Sequence, residues 1–367
     1  MKNMKILFIG MPDSIHAERW INQLSDTGWD IHFFPVNPAK PRDGFKNVVL
    51  DIPENNHRLS AAERVNLLQK LIEDIKPDII HSMELQHAGY MTMEVKKKLK
   101  NFPKWVVTNW GSDIYLFGRI AEHTLKIREV LENCDYYSCE SERDVRLAGE
   151  YGFKGRVIST CPNSGGLDFN IINRLRNRNK PSSRKKIMLK GYQGWAGRAQ
   201  VGLRALERAK DILEDYEIIM FSANTKEIRV SGELFANATG IKLTMLPHGT
   251  PHEEILKFHG MARISIGVSI SDAISTSLLE AMAMGSFPIQ SWTSTADEWI
   301  EDGKTGILIP PEDPDVIEQA IRIALKDDKL VDNAMDVNFK EVFKRADSEK
   351  LKTEIVNIYV SINGDWK

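Results

Sequence analysis

The stretch ISIGVSISDAISTSLLEAMAMG, residues 264–285, contains a strand, a polar turn and a helix in succession. Residues 264–268 are a short apolar run, which is typical of a buried parallel strand. Ser275, Thr276 and Ser277 stand where the strand gives way to the helix. A helix that begins there presents free backbone N–H groups and the positive end of its dipole. The stretch therefore predicts an α/β fold with an anion site at the start of this helix.

Strand and helix signals alternate on both sides of this stretch, and the alternation begins twice along the chain. Strands separated by helices indicate parallel pairing, because a parallel pair needs a long crossover connection. We predict two Rossmann-like, doubly wound parallel-sheet domains that face each other across a cleft. The predicted strands cover residues 5–9, 30–36, 78–81, 105–108, 136–138 and 157–159 in the first half, and 187–190, 217–221, 242–246, 264–268, 287–290 and 307–309 in the second.

A basic stretch separates the two halves. NRLRNRNKPSSRKK, residues 173–186, contains seven basic residues and a proline, and we interpret it as part of a linker. The predicted organisation is an N-terminal domain over residues 1–170, a linker over 171–186 and a C-terminal domain over 187–345. A final helix over 346–367 is expected to pack back on the N-terminal domain.

Composition restricts the partners and the compartment. The 367 residues carry a formal net charge of −2, which gives no reason to expect nucleic acid as a partner. The three cysteines lack metal-ligand spacing, so we expect reduced thiols. No apolar run reaches the roughly 20 residues of a membrane span, and the first residues lack the apolar stretch of a signal peptide. We expect a cytoplasmic protein, and the sequence leaves its oligomeric state open.

A cluster of lysines, KKKLK at residues 96–100, lies near Phe102 and Trp105. Basic side chains beside aromatic ones favour peripheral contact with the inner face of an anionic membrane. A solvated helix end is the simpler explanation of the same residues.

The second half also contains two spaced motifs. Asp272 and Glu280 are separated by seven residues, Glu280 opens the run EAMAMG, and residues 299–310 read WIEDGKTGILIP. Together they resemble the signature of glycosyltransferase family 4, the glycosyl transferases of group 1. That family has two glutamates at this spacing, an EAMA-like helix and a later dG-x-x-G-x-l-v-P run. Here an aspartate replaces the first glutamate, and AISTSLL replaces a glycine-rich run.

The resemblance implies the GT-B fold and a retaining glycosyltransferase of the hexosyltransferase type. Such an enzyme would move a sugar from a nucleotide-sugar to a saccharide or lipid-linked acceptor, with surface polysaccharide or other glycan synthesis as its role. It would bind the donor in the C-terminal domain and the acceptor in the N-terminal domain. Two alternatives stay open: another GT-B enzyme, such as a nucleotide-sugar 2-epimerase, and a non-catalytic GT-B protein that only binds.

The resemblance also assigns donor-site residues. Glu280 would bind the ribose, Asp272 would contact hydroxyls of the donor sugar, and Ser275, Thr276 and Ser277 would hold the diphosphate. The residues themselves leave a second interpretation open, because Ser277 and Glu280 also have the spacing of a helix capping box.

KGYQGWAGR, residues 190–198, follows the first strand of the second half. Gly191 and Gly197 would let the backbone approach a ligand closely. Lys190 offers a point charge and Arg198 a planar fork for phosphate. The family neutralises its leaving diphosphate with an Arg/Lys pair in this loop, so both residues are candidates, and their roles could be exchanged. A flexible glycine loop with a solvated arginine is the alternative.

Three further residues are candidates for the donor site. Ser294 and Thr295 precede another helical segment and could complete a phosphate cradle, although Thr295 and Glu298 also fit a capping box. His248 follows the strand at 242–246, where its backbone could contact the base.

Two histidines lie close together in one stretch of the first half. His87, in IHSMELQHAG at residues 80–89, matches a histidine that the family places over the donor sugar, where we expect polar contact with the transferred sugar. His81 ends an apolar strand and is more typical of the core.

Acceptor-side candidates follow other strands. NWGSD, residues 109–113, resembles the H-G-x-D turn of the family, so Asp113 is a candidate for binding the acceptor hydroxyl, with a capping role as the alternative. His16 and Arg19 follow the first strand and could also face the acceptor.

No cofactor and no metal are expected. Asp313-Pro314-Asp315 is formally a D-x-D motif, but it precedes a predicted helix at residues 314–324 and is better explained as its N-cap. A GT-B site can stabilise a diphosphate with a helix dipole and basic side chains.

Overall fold

The computed structural model describes residues 4–364, which form two compact units. The first unit extends to Gly166 and resumes at Ser348, and the second comprises Leu167–Asp347. Within residues 4–364, no helix is both long enough and apolar enough to cross a bilayer.

Strands and helices alternate along almost the whole described chain. The strands are β1 (Lys5–Gly10), β2 (Asp30–Pro35), β3 (Val49–Leu50), β4 (Ile79–Met83), β5 (Lys104–Thr108), β6 (Tyr136–Cys139), β7 (Arg156–Thr160), β8 (Lys186–Lys190), β9 (Glu217–Phe221), β10 (Leu243–Met245), β11 (Ala262–Gly267), β12 (Phe287–Ser291) and β13 (Ile307–Ile309). The helices are α1 (Ile15–Asn22), α2 (Ala61–Ile75), α3 (Tyr90–Lys96), α4 (Ser112–Tyr115), α5 (Ala121–Asn133), α6 (Glu142–Glu150), α7 (Phe169–Leu175), α8 (Ala199–Arg208), α9 (Lys226–Thr239), α10 (His252–Met261), α11 (Thr276–Met284), α12 (Pro314–Lys326), α13 (Asp328–Ala346) and α14 (Ser348–Gly364).

Each unit contains one parallel sheet. The first has the strand order β3-β2-β1-β4-β5-β6-β7, and the second has β10-β9-β8-β11-β12-β13. In both sheets the order reverses at a central pair, β1/β4 or β8/β11, so that the loops after those two strands are neighbours. The predicted α/β class is confirmed, and every predicted strand matches an observed one within two residues. The short edge strand β3 was not predicted.

The C-terminal helix α14 belongs to the first unit, where its apolar face packs with α1, β1 and β4. Tyr359 Oη accepts a hydrogen bond from Trp20 Nε1 at 2.9 Å and lies 2.6 Å from His81 Nδ1. Burial lowers the pKa of His81 to about 3, so its imidazole is neutral at physiological pH. His81 is therefore a core residue, as its place in an apolar strand predicts.

The stretch that we predicted as a linker, residues 171–186, lies within the second unit. It contains most of α7 and the beginning of β8. Its basic side chains bind the body of the unit: Arg184 donates to the carbonyl oxygen of Gly285 at 2.8 Å, and Arg176 pairs with Asp336 at 3.0 Å. Arg176 and Arg184 are therefore buried against the unit, a placement that charge alone does not distinguish from a solvated linker.

The lysine cluster at residues 96–100 lies at the end of α3. Lys97 pairs with Glu94 and Glu129 at 2.8 Å each, and Lys98 donates to Asn66 Oδ1 at 2.9 Å. These two lysines therefore have partners on their own unit.

Candidate active site

The start of α11 carries no side-chain cap. Ser275 is the residue before the helix, and its hydroxyl lies 2.9 Å from the Ser277 hydroxyl and 3.1 Å from Lys190 Nζ. The capping box between Ser277 and Glu280 is not formed, because Ser277 lies inside the helix and Glu280 accepts a hydrogen bond from another helix. An N-terminus without a side-chain cap can offer its N–H groups to an anion.

Lys190 and Asp272 flank this helix start. Lys190 ends β8, which pairs directly with β11, so its side chain reaches the loop that follows β11. Lys190 Nζ lies 4.0 Å from Asp272 Oδ2, and the Asp272 side chain is 34% exposed. The structure therefore brings Lys190, Asp272, Ser275 and Ser277 together at the carboxyl edge of the second sheet, with Thr276 as the first helical residue.

Arg198 is placed differently. Its side chain donates to the carbonyl oxygens of Gly197 at 2.9 Å and Gly194 at 3.2 Å, and it pairs with Glu312 at 3.3 Å. These contacts hold Arg198 against its own loop, and Lys190 is the cation that contacts the start of α11.

Packing explains why this loop contains glycines at residues 191 and 197. A Cβ on Gly197 would collide with the backbone of Tyr192, and one on Gly191 would lie 2.9 Å from the carbonyl oxygen of Phe221. Close approach of backbone to backbone explains both glycines without a ligand.

Glu280 is buried, with 6% of its surface exposed, and two histidines of α10 flank its carboxylate. His252 Nε2 lies 2.6 Å from Oε1, and His259 Nε2 lies 4.0 Å from Oε2. Burial lowers the pKa of His259 to about 4, so it is neutral at physiological pH. The sequence interpretation missed both histidines, although their seven-residue spacing places them on one face of a helix.

The turn after β12 is tied to the loop after β11. Thr295 is in the left-handed conformation (φ 50°), and its hydroxyl donates to the carbonyl oxygen of Ala273 at 3.0 Å. Ser294 is buried and donates to the carbonyl oxygen of Ser291 at 2.8 Å. The alternative capping box between Thr295 and Glu298 is not formed. His248 lies exposed in the turn between β10 and α10.

In the first unit, Glu84 organises the turn that follows β4. It has φ 105° and ψ 157°, a region that residues other than glycine rarely adopt. Its buried carboxylate accepts hydrogen bonds from the backbone N–H groups of Gln86 at 2.9 Å, His87 at 2.7 Å and Ala88 at 2.6 Å. His87 Nδ1 lies 3.3 Å from Glu84 Oε2, and this hydrogen bond raises the pKa of His87. Its side chain is 62% exposed.

Asp113 lies beside this turn, buried near the carboxyl end of β5. Its Oδ2 accepts from the Leu85 N–H at 3.1 Å, and Gln86 Nε2 donates to its carbonyl oxygen at 2.8 Å. Burial, reinforced by the neighbouring Glu84, raises the pKa of Asp113 to about 7. Asp113 thus caps the adjacent turn, and Glu84, His87 and Asp113 form one cluster.

His16 and Arg19 lie on α1. The His16 ring is 5.6 Å from the ring of Trp110, which occupies the first position of the motif that resembles H-G-x-D. Arg19 is half-buried further along the helix. The structure therefore brings His16 next to the 109–113 turn.

Asp313 caps α12, accepting hydrogen bonds from the backbone N–H groups of Asp315 at 2.9 Å and Val316 at 3.2 Å. The N-cap interpretation of the D-x-D motif is confirmed. Among residues 4–364, no group of three His, Cys, Asp or Glu side chains is arranged to hold a metal ion.

Comparisons with known proteins agree with this architecture. Residues 5–134 match the family Glycosyl transferase 4-like, and residues 230–340 match the family Glycosyl transferases group 1. The N-acetyl-alpha-D-glucosaminyl L-malate synthase of Bacillus anthracis is 23% identical, over 94% of this chain and 92% of that protein.

Solved structures show the same fold. Sucrose-phosphate synthase from Thermosynechococcus elongatus superposes with a TM-score of 0.75 at 14% identity, covering 99% of this chain and all of that one. Anabaena Alr3699/HepE, determined in complex with UDP-glucose, gives a TM-score of 0.71 at 14% identity, covering 98% and 100%. The chain has the GT-B fold and belongs to the family 4-like, group 1 glycosyltransferases.

Proposed function

We propose that this glycosyltransferase takes a sugar from a nucleoside diphosphate sugar and transfers it, with retention of anomeric configuration, to a saccharide or lipid-linked acceptor in glycan synthesis. The convergence of Lys190, Asp272 and Ser275 at the uncapped start of α11 carries the proposal. The Anabaena relative in fold was determined with UDP-glucose, which supports a nucleotide-sugar as the donor.

In this proposal the second unit binds the donor. The first turn of α11 and the Lys190 ammonium hold the diphosphate, Glu280 accepts from the ribose hydroxyls, and Asp272 contacts the sugar. Thr295 keeps the Asp272 loop in place through Ala273. The base would contact the turn before α10, which contains His248.

The reaction breaks the bond between the anomeric carbon and the phosphate oxygen and forms one between that carbon and the acceptor oxygen. Negative charge then develops on the departing diphosphate, where Lys190 and the α11 dipole stabilise it. The acceptor proton leaves with the departing phosphate. These protein groups supply the positive charge, so the proposal requires no metal and no cofactor.

In this proposal the first unit would supply the groups on the acceptor side. His87, held by Glu84, would contact the transferred sugar, and His16 and Arg19 would face the acceptor. The buried Asp113 would act indirectly, by holding the turn that carries His87. The B. anthracis relative is named for malate, so L-malate belongs in the acceptor panel beside saccharides.

Thermal shift with nucleoside diphosphates and nucleotide-sugars tests the donor site. A ligand at 100 times its Kd that binds only the folded protein stabilises it by about 2.7 kcal/mol. We expect a shift with at least one nucleoside diphosphate, its loss in Glu280→Ala, and its retention in Glu254→Ala, an exposed glutamate of α10. A Glu280→Ala protein that binds normally would remove the ribose assignment.

Turnover separates the remaining alternatives. Incubation of a bound nucleotide-sugar with the acceptor panel should release nucleoside diphosphate only when an acceptor is present, and the product should keep the donor's anomeric configuration. Interconversion of the sugar without release would indicate a 2-epimerase. Binding without turnover across the panel would favour a non-catalytic protein.

A further inference from the structure

Glu280, the residue that the proposed function gives to the ribose, already has a partner. Its Oε1 lies 2.6 Å from His252 Nε2, and its side chain is only 8% exposed. Oε2 faces the interior, 4.0 Å from the buried His259. The carboxylate oxygen on the side of the exposed His252 thus already accepts a hydrogen bond, and an imidazole lies against it where we expect a ribose hydroxyl.

The two histidines differ in how firmly they are held. His259 is 1% exposed, its Nδ1 lies 2.9 Å from Ser265 Oγ, and that hydroxyl in turn lies 2.8 Å from Ser286 Oγ. His252 is the first residue of α10, and its side chain is 43% exposed. Rotation of His252 towards water needs no repacking, whereas movement of His259 would disturb the core.

We propose that His252 is a latch on the donor site: it occupies the ribose-binding oxygen of Glu280 in the free protein and swings away each time a nucleotide binds. The inference rests on the proposed function, because it needs Glu280 as the ribose ligand. His259 stays in place behind the carboxylate, with its Nε2 4.0 Å from Oε2, while the outer hydrogen bond is exchanged.

The latch lowers nucleotide affinity in a calculable way. A protein whose binding-competent state is only fractionally populated has its apparent Kd raised by the inverse of that fraction. A latch closed in four molecules of five would weaken binding roughly fivefold. Removal of the imidazole should therefore tighten binding, the opposite of what removal of a ligand-contacting residue does.

Isothermal titration of UDP, GDP and ADP into the intact protein tests this. We expect His252→Ala to bind its preferred nucleotide roughly fivefold more tightly than wild type. We expect His252→Gln, whose shorter amide can still reach towards the carboxylate, to fall between the two. Lys257→Ala, an exposed change on the same helix, should leave the Kd unchanged.

The 2′,3′-dideoxy form of the same nucleotide shows whether the tighter binding by His252→Ala arises at the ribose. Because it lacks the ribose diol, it should bind wild type and His252→Ala equally. Equal or weaker binding of the ordinary nucleotide by both His252 variants would overturn the latch, while leaving the donor site intact if Glu280→Ala abolishes binding. Failure of every protein to bind any of the three nucleotides would overturn the proposed function itself, and the latch with it.

Discussion

The Lys190 ammonium lies 3.1 Å from the hydroxyl of Ser275, the residue that immediately precedes α11. A full positive charge and the positive end of a helix dipole therefore meet at one point. Each would stabilise the same developing anion, and their effects on a departing diphosphate would reinforce each other.

We expect Lys190→Ala to lower kcat by about 100-fold, the loss typical of removing one donor to a developing anion. Arg198→Ala should cost less, because Arg198 is bound to Glu312 and to its own loop. Steady-state kinetics would compare both with Lys185→Ala, which removes an exposed lysine just before β8. A larger loss from Arg198→Ala would show that the two cations exchange roles in the working enzyme.

Backbone strain at Glu84 predicts an unusual order of stabilities. Glu84→Ala and Glu84→Gly both lose the carboxylate that holds three backbone N–H groups, but glycine adopts φ 105° freely. We expect the glycine variant to be more stable than the alanine variant by about 1 kcal/mol. Urea unfolding measures the difference, with the exposed Glu150→Ala as control. An alanine variant at least as stable as the glycine variant would contradict the prediction.

Asp113 should make the first unit sensitive to pH. Its pKa rises from 3.8 to about 7 on folding, so the native state keeps a proton that the unfolded chain releases. The resulting stability is fully present below pH 3.8 and is lost as pH rises towards 7, by up to about 1.4 kcal/mol per unit. As the pH rises from 4.5 to 7, the unfolding free energy of wild type should decrease more than that of Asp113→Asn. If the unfolding free energies of wild type and Asp113→Asn changed in parallel with pH, the pKa of Asp113 would not be raised on folding.

Tyr359 joins α14 to the sheet through two buried partners. Tyr359→Phe keeps the ring but leaves Trp20 Nε1 without its acceptor and removes the hydroxyl beside His81 Nδ1. We expect the first unit to lose about 1–3 kcal/mol of stability, the usual cost of an unsatisfied buried polar group. Calorimetry of the intact chain would detect a lower transition temperature. An unchanged transition in Tyr359→Phe, with Val360→Ala on the exposed face as control, would show that the hydroxyl is not needed.

The sequence predicts this fold well because parallel strands between helices are continuous apolar runs, and such runs are visible without knowledge of their neighbours. It also locates α11 and the residues around its first turn, since strand, hydroxyl cluster and helix are adjacent in the chain. The GT-B fold and the family were confirmed by comparison, while the roles of the site residues stay predictions.

The features that could not be predicted from the sequence depend on contacts between segments that are distant along the chain. The partner of Glu280 is 28 residues away on another helix. Arg176 finds its acceptor on α13, and Arg184 finds one on Gly285, the residue after α11. Composition therefore suggested a linker where the structure has a segment anchored by two buried arginines. The strain at Glu84 was equally hidden, because its side chain compensates for a backbone conformation that its residue type disfavours.

The placement of α14 in the first unit has a consequence during synthesis. The second unit is one uninterrupted segment, whereas the first needs both its early strands and the last helix. The core of the first unit is therefore incomplete until Tyr359 and its neighbours have been made, whereas the second unit has all its segments by residue 347. A chain that ends just after residue 347 should therefore expose the apolar surface around Trp20, which α14 covers in the complete unit.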